Sequence, residues 1–190
     1  MSRKVLGEVL GGIDEFVSTI NQGIDHPDVR VDRSYLTEMD HVCYRVETEE
    51  RYRQLLRQLS VATHLVAPPT MVNGRPIATF ELPEPIETGG WAISYLELPA
   101  PKPGSMYTEG LEHAEFVVRG GSLERFRAAH AHLDNKFSTG GMNKSINPEL
   151  GLKIDQNDLK LSVKFHELAL GKVVRIEREM DPIAGNHVTL

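Results

Sequence analysis

The chain has 190 residues, 40% of them hydrophobic and 25% charged, enough to bury one core or two small modules. Its net charge is -6 and it carries no run of basic residues, which argues against a nucleic-acid surface. No apolar stretch reaches membrane-spanning length, and a single cysteine, Cys43, rules out an internal disulfide and points to a cytoplasmic protein.

Residues 3–24 read as a helix, with Val5, Leu6, Val9, Leu10, Ile13, Phe16, Val17 and Ile20 at spacings of three and four. Gly11 and Gly12 weaken it midway. Its acidic interruptions, Glu8, Asp14 and Glu15, are unlike a signal peptide. After a connector, DHVCYRVE (40–47) alternates as a strand, with Val42, Tyr44 and Val46 on one face and His41, Cys43 and Arg45 on the other. Thr48 is placed to cap a helix, EERYRQLLRQLS, that opens on Glu49 and Glu50. ATHLVAP is a short strand. NGRPIATFELP leaves an Asn-Gly turn as a strand, with Asn73 and Arg75 read as turn builders. WAISYLELP is the next strand, with Ile93, Tyr95 and Glu97 on one face.

PAPKPGS then breaks the pattern as a linker. Beyond it the order starts again. LEHAEFVV is a strand that turns at Gly120 and Gly121, Ser122 caps, and LERFRAAHAHLDNK is helical. FSTGGMNKSINP is a loop or an irregular strand. ELGLKID and LKLSVKFHE form a hairpin over QND, and LALGKVVRIEREM closes the chain as a helix. The expected organisation is therefore an N-terminal helical extension (1–38), a βαβββ module (39–100), a linker (101–109) and a second, similar module with a C-terminal helix (110–190), all within one α+β domain.

Strand parity places His41, Cys43 and Arg45, then Tyr95 and Glu97, then His113 and Glu115, then Ser162, Lys164 and His166 on matching faces. The bland explanation is the wet face of an antiparallel sheet. Against it stand three of the eight histidines, with two carboxylates, at matching parity. Imidazole plus carboxylate is a donor set for Zn, Ni, Fe, Co or Mn, and neighbouring strands lie about 4.8 Å apart, near enough to share an ion. Arg45 is placed to hold a substrate carboxylate, and Lys164 an anion, as readily as each is a solvated charge. Cys43 reads as buried filler, and His64, His130 and His132 as structural.

Two βαβββ modules with His on the first strand, Glu on the fourth and His on the fifth resemble the vicinal oxygen chelate superfamily, which includes glyoxalase I, extradiol dioxygenases and methylmalonyl-CoA epimerase. The segments DHVCYRVET, NGRPIATFELPEPI, LELPAPKPG, YTEGLEHAEFVV and VKFHE resemble the YecM family, a bacterial branch with that fold. The resemblance implies a U-shaped mixed sheet around a cleft, helices outside, and a divalent metal held by His41, Glu97, His113 and His166. It implies that Glu115 is a ligand, a partner that orients an imidazole, or the general base; the base is the expected role. Four protein ligands would leave an octahedral ion two positions for substrate, unless one of the four is not a ligand. The expected function is metal-dependent chemistry of isomerase, lyase or oxidoreductase type on a small oxygen-rich molecule, by a monomer or homodimer. The alternatives are a binding protein that sequesters a ligand in the same cleft, and a scaffold with an incidental polar face.

Overall fold

The computed structural model describes residues 2–72, 74–156 and 159–180. Asn73 of the predicted turn, Asn157 and Asp158 of the QND turn, and residues 181–190 of the second module lie outside the described residues. Helices α1 (Ser2–Leu10) and α2 (Ile13–Asp25) are the predicted N-terminal helix, broken at Gly11–Gly12. The first module follows as β1 (Leu36–Arg45), α3 (Glu49–Ala62), β2 (His64–Leu65), β3 (Thr70–Val72), β4 (Arg75–Thr88) and β5 (Trp91–Pro99). The second is β6 (Gly110–Val118), α4 (Leu123–Ala129), β7 (Phe137–Ser138), β8 (Glu149–Gln156) and β9 (Leu159–His166), with α5 (Leu170–Met180) after it. Thr48 and Ser122 cap α3 and α4 by accepting from the Arg51 and Arg125 amides.

The nine strands among the described residues form one sheet, in the order β2-β4-β5-β1-β6-β9-β8-β7, with β3 on β4. The order reads the same from either end of its centre. β1 runs parallel to β5 and β6 parallel to β9, while β1 and β6 are antiparallel. The two modules are thus related by a pseudo-twofold axis between β1 and β6. His41 lies opposite Glu115 across that seam and Cys43 opposite His113. The axis therefore exchanges His41 with His113 and Cys43 with Glu115.

One face of the sheet is apolar. Val42, Phe80, Leu96, Leu98, Phe116, Val163 and Phe165 are fully buried there, as are Ile20 and Ile24 of α2 and Leu55 and Leu59 of α3. Burying each such side chain contributes roughly 1.5–3 kcal/mol. Phe165 packs against Phe126 of α4 with the rings tilted by 34° and their centroids 4.5 Å apart, and Phe116 meets Trp91 edge-on at 5.0 Å. Helix α2 contacts both modules, and it packs close enough that a Cβ on Gly23 would fall 2.8 Å from the Ile154 side chain.

Three expectations change in detail. β1 starts at Leu36 rather than residue 40 and carries register shifts, one between Met39 and His41. The helix expected over 123–136 ends at Ala129 and continues as a 3₁₀ turn at Ala131–Leu133. Ile93, which alternation puts beside Tyr95 and Glu97, joins the apolar core with Leu96 and Leu98, so strict alternation fails within β5. No helix among the described residues is long and apolar enough to cross a membrane.

Candidate metal centre

The opposite face of β1, β6 and β9 is not wet at its centre. His41 is 2% exposed, His113 4%, Glu115 6% and His166 1%. A solvated face explains none of these. Burial of that many titratable groups demands partners.

The partners form a defined pattern. His41 donates from Nδ1 to Asp40 Oδ2 at 2.8 Å. His113 Nδ1 faces Glu112 Oε2 at 3.1 Å. His166 donates from Nδ1 to the Leu168 carbonyl at 2.7 Å. Each imidazole is tied by its outer nitrogen, which leaves Nε2 to face inward. All three Nε2 atoms converge on one carboxylate. His113 Nε2 lies 3.2 Å and His41 Nε2 3.4 Å from Glu115 Oε1, and His166 Nε2 lies 3.7 Å from Oε2.

Local sequence explains how the strands deliver these groups. The shift between Met39 and His41 lets Asp40 reach the imidazole beside it. The Asp40 carboxylate also accepts from the Leu170 amide at 2.8 Å, so the first turn of α5 closes that end of the cluster. Nearby, Gly171 packs so tightly that a Cβ would sit 2.2 Å from the Tyr95 hydroxyl. Asn147 accepts from the Glu167 and Leu168 amides and donates to the Leu168 carbonyl, which fixes the turn after His166.

Electrostatics follow from these contacts. Burial opposes charging His41, but Glu115 and Asp40 override it and hold the imidazole up at about 10. His113 is likewise held well above its ordinary value, against burial, by Cys43 and Glu112. Burial lowers His166. Glu115 is held well below the usual carboxylate range, against burial, by Lys164, His41 and His113. Lys164 lies 2.6 Å from Glu115 Oε1 and 3.7 Å from Glu149, and these carboxylates raise it despite its own burial. Burial would raise Glu112, but His113 and Arg45 bring it down to about 2.

Part of the donor set has the spacing of a divalent ion's shell. In a shell with bonds of about 2.1 Å, adjacent donors lie about 3.0–3.4 Å apart, close to the separations of Glu115 Oε1 from His41 and His113. His41 Nε2, His166 Nε2 and Asp40 Oδ1 are buried without a hydrogen-bond partner. Such orphaned atoms each cost about 1–3 kcal/mol unless something meets them. Donor atoms of His41, Glu97 and Glu115 lie within 4.8 Å of one another, as do those of Cys43, Glu97 and His113, and of Asp40, His41 and His166.

The expected site residues divide accordingly. His41, His113 and His166 meet at Glu115. Glu97 is half-buried at the edge of that cluster, beside Cys43. The register makes Lys164, not His166, its counterpart: Cys43 pairs with Glu97 as Glu115 pairs with Lys164. Arg45 lies one strand step beyond Cys43 and bonds Glu112 through Nε. Asp40 and Glu112 were missed because alternation assigns them to the other face. The legible signal was a repeat: each module's first strand carries an acid directly before its histidine, Asp40-His41 and Glu112-His113. His130 stands apart, accepting from the Asp32 amide and donating to the Phe126 carbonyl. A cavity of about 340 Å³ lies elsewhere, at the α1–α2 break beside Tyr44 and Leu161.

Comparison with known proteins identifies the chain's relatives. The family model described as YecM protein matches residues 6–177. The chain belongs to the YecM family. Protein YecM of Escherichia coli (strain K12) is 30% identical over 154 residues, 73% of this chain and 78% of that protein. The solved structure of Protein EC4020, a structural-genomics target, overlays with a TM-score of 0.68 at 26% identity, covering 91% of this chain and 93% of that one. The methylmalonyl-CoA epimerase of Streptomyces coelicolor, solved with 2-nitronate-propionyl-CoA, overlays at a TM-score of only 0.43 and 17% identity, covering 69% of this chain and 96% of that one. At that level the overlay carries no argument about chemistry.

Proposed function

We propose that this YecM-family protein binds a divalent metal, Zn, Ni, Fe, Co or Mn, through His41, His113, His166 and Glu115. Its role would be to chelate a small oxygen-rich acid there. The observation that supports it is the convergence of three Nε2 atoms on one carboxylate, with every Nδ1 tied back. Glu97 is near enough to complete the shell, and this reading makes Glu115 a ligand where the base role was expected. When bound, the metal would supply a Lewis acid that stabilises an enolate or similar oxyanion. The chain's own contribution is to hold three imidazoles in one tautomer, exclude bulk water, and set the Lys164 ammonium beside Glu115. Such a site suits an isomerase, lyase or oxidoreductase acting within a cytoplasmic monomer or homodimer.

The Lys164–Glu115 ion pair favours a second reading, a binding cleft in which the ammonium replaces the metal. Elemental analysis of untagged protein separates the two. Near-stoichiometric metal, lost in His113→Ala with the fold retained, supports the first. Metal-free protein that stays metal-free after reconstitution with each ion supports the second.

A further inference from the structure

Arg45 and Arg75 form a pair of cations at the module-one end of the same face. Arg45 ends β1 and Arg75 begins β4. Between them on β5 lies Pro99, which pairs with Ile77 and follows the Cys43–Glu97 pair by one strand step. Like charges do not gather without cause. Glu112 satisfies Arg45 through Nε only. Arg75 reaches only the Ala100 carbonyl, at 3.3 Å, and among the described residues it makes no ion pair. Arg45 Nη1 and Arg75 Nε are both buried donors without an acceptor. Tyr107, delivered by the linker, lies with its ring centroid 5.1 Å from the Arg45 guanidinium carbon. Burial and the Arg45 charge lower Arg75, as two cations sharing one recess require.

We propose that Arg45 and Arg75, beneath Tyr107, form an oxyanion subsite for the distal carboxylate or phosphate of the molecule chelated at the metal centre. Guanidinium forks match both groups, and Arg45 Nη1 and Arg75 Nε, each buried without an acceptor, are donors left over for such a ligand. Arg45 lies two residues beyond Cys43, which pairs with His113, and four beyond His41, so its backbone is roughly 7 Å along the strand from His113 and about 13 Å from His41. Its guanidinium turns back toward His113, whose Nδ1 shares Glu112 Oε2 with Arg45 Nε. Sharing Glu112 sets the guanidinium within reach of a chain of four or five carbons from His113. The substrate class is therefore a 2-oxo or 2-hydroxy acid with a second anionic end. The inference rests on the proposed metal site for one of its two anchors.

Three probes separate the anchors in titration calorimetry on the metal-loaded protein: oxalate, with vicinal oxygens alone; glutarate, with carboxylates but no vicinal oxygens; and 2-oxoglutarate, with both. The expected result is 2-oxoglutarate binding at least about tenfold tighter than oxalate. Arg75→Gln should erase that advantage and leave oxalate unchanged, while Arg75→Lys keeps part of it and serves if the first variant does not fold. Equal affinity for oxalate and 2-oxoglutarate, or a preference that survives Arg75→Gln, overturns the subsite. A different pattern sinks the metal reading and upholds the subsite: no oxalate binding, with glutarate and 2-oxoglutarate bound alike and both weakened by Arg75→Gln. Inorganic phosphate that displaces glutarate would extend the subsite to phosphorylated acids; failure to displace it restricts the ligand to carboxylates.

Discussion

The two modules place the same strands about one axis, yet fill equivalent positions with opposite chemistry. His41 and His113 are true counterparts, each held by the acid before it. Their neighbours are not. Cys43 occupies the place of Glu115, and Glu97 the place of Lys164. The first module therefore offers a thiol and an acid, and the second an acid already paired with an ammonium. The scaffold supplies symmetric backbone positions. Side-chain identity then polarises the centre, so that the second module carries the shared carboxylate and the first carries the flanking cations Arg45 and Arg75. One backbone geometry can thus be duplicated without duplicating the site.

Swapping the unequal pair should break this comparison most strongly. Glu115→Gln leaves Lys164 and two protonated imidazoles without their buried counter-charge. It should lower metal affinity by at least about 100-fold and destabilise the metal-free protein by about 3–5 kcal/mol. Cys43→Ser, at the equivalent place, should cost about 1 kcal/mol or less and retain the metal. Elemental analysis with urea unfolding reads both, and equal effects would refute the polarised site.

The equal pair comes next. His41→Ala and His113→Ala should each reduce metal content to background while near-native circular dichroism persists; a site that tolerates either loss is not centred on Glu115. Their supporting acids follow. Asp40→Asn and Glu112→Gln should each weaken metal binding by about 10–100-fold, measured by competition with a chromophoric chelator. Asp40→Asn should be the more severe, because Asp40 is fully buried and also receives the Leu170 amide, whereas Glu112 is partly exposed. The reverse order would remove α5 from the account.

The gentlest probe is pH. In the metal-free protein His41 is held at about 10 against an ordinary 6.5. Its charged form thus contributes stability that is fully present below 6.5 and lost as pH rises towards 10. Thermal midpoints should fall across that window in the wild type and fall less in His41→Gln. With metal bound the trend should reverse on the acidic side, since ligand imidazoles must shed their protons.

Much of the site was legible because strands have a period of two. His113 and Glu115 share a face through spacing alone, and the pattern repeated at His41 and at Lys164 and His166. The same rule concealed Asp40 and Glu112, because a register shift and a turned side chain override alternation locally. It also misplaced Ile93, where β5 buries both neighbouring parities.

By itself, the sequence determined the element order, the doubled module, the capping residues and the face on which the imidazoles lie. These follow from local periodicity and short-range hydrogen bonds, which neighbours along the chain settle among themselves. Only the tertiary structure decided that β1 and β6 meet at the centre, that Glu115 is the point of convergence, and that Lys164 stands where symmetry would put a second acid. It alone brought the α5 amide to Asp40 across 130 residues, and Arg75 to Arg45. Those relations depend on strand pairing and packing between distant segments, and no local spacing encodes which distant partner a side chain will meet.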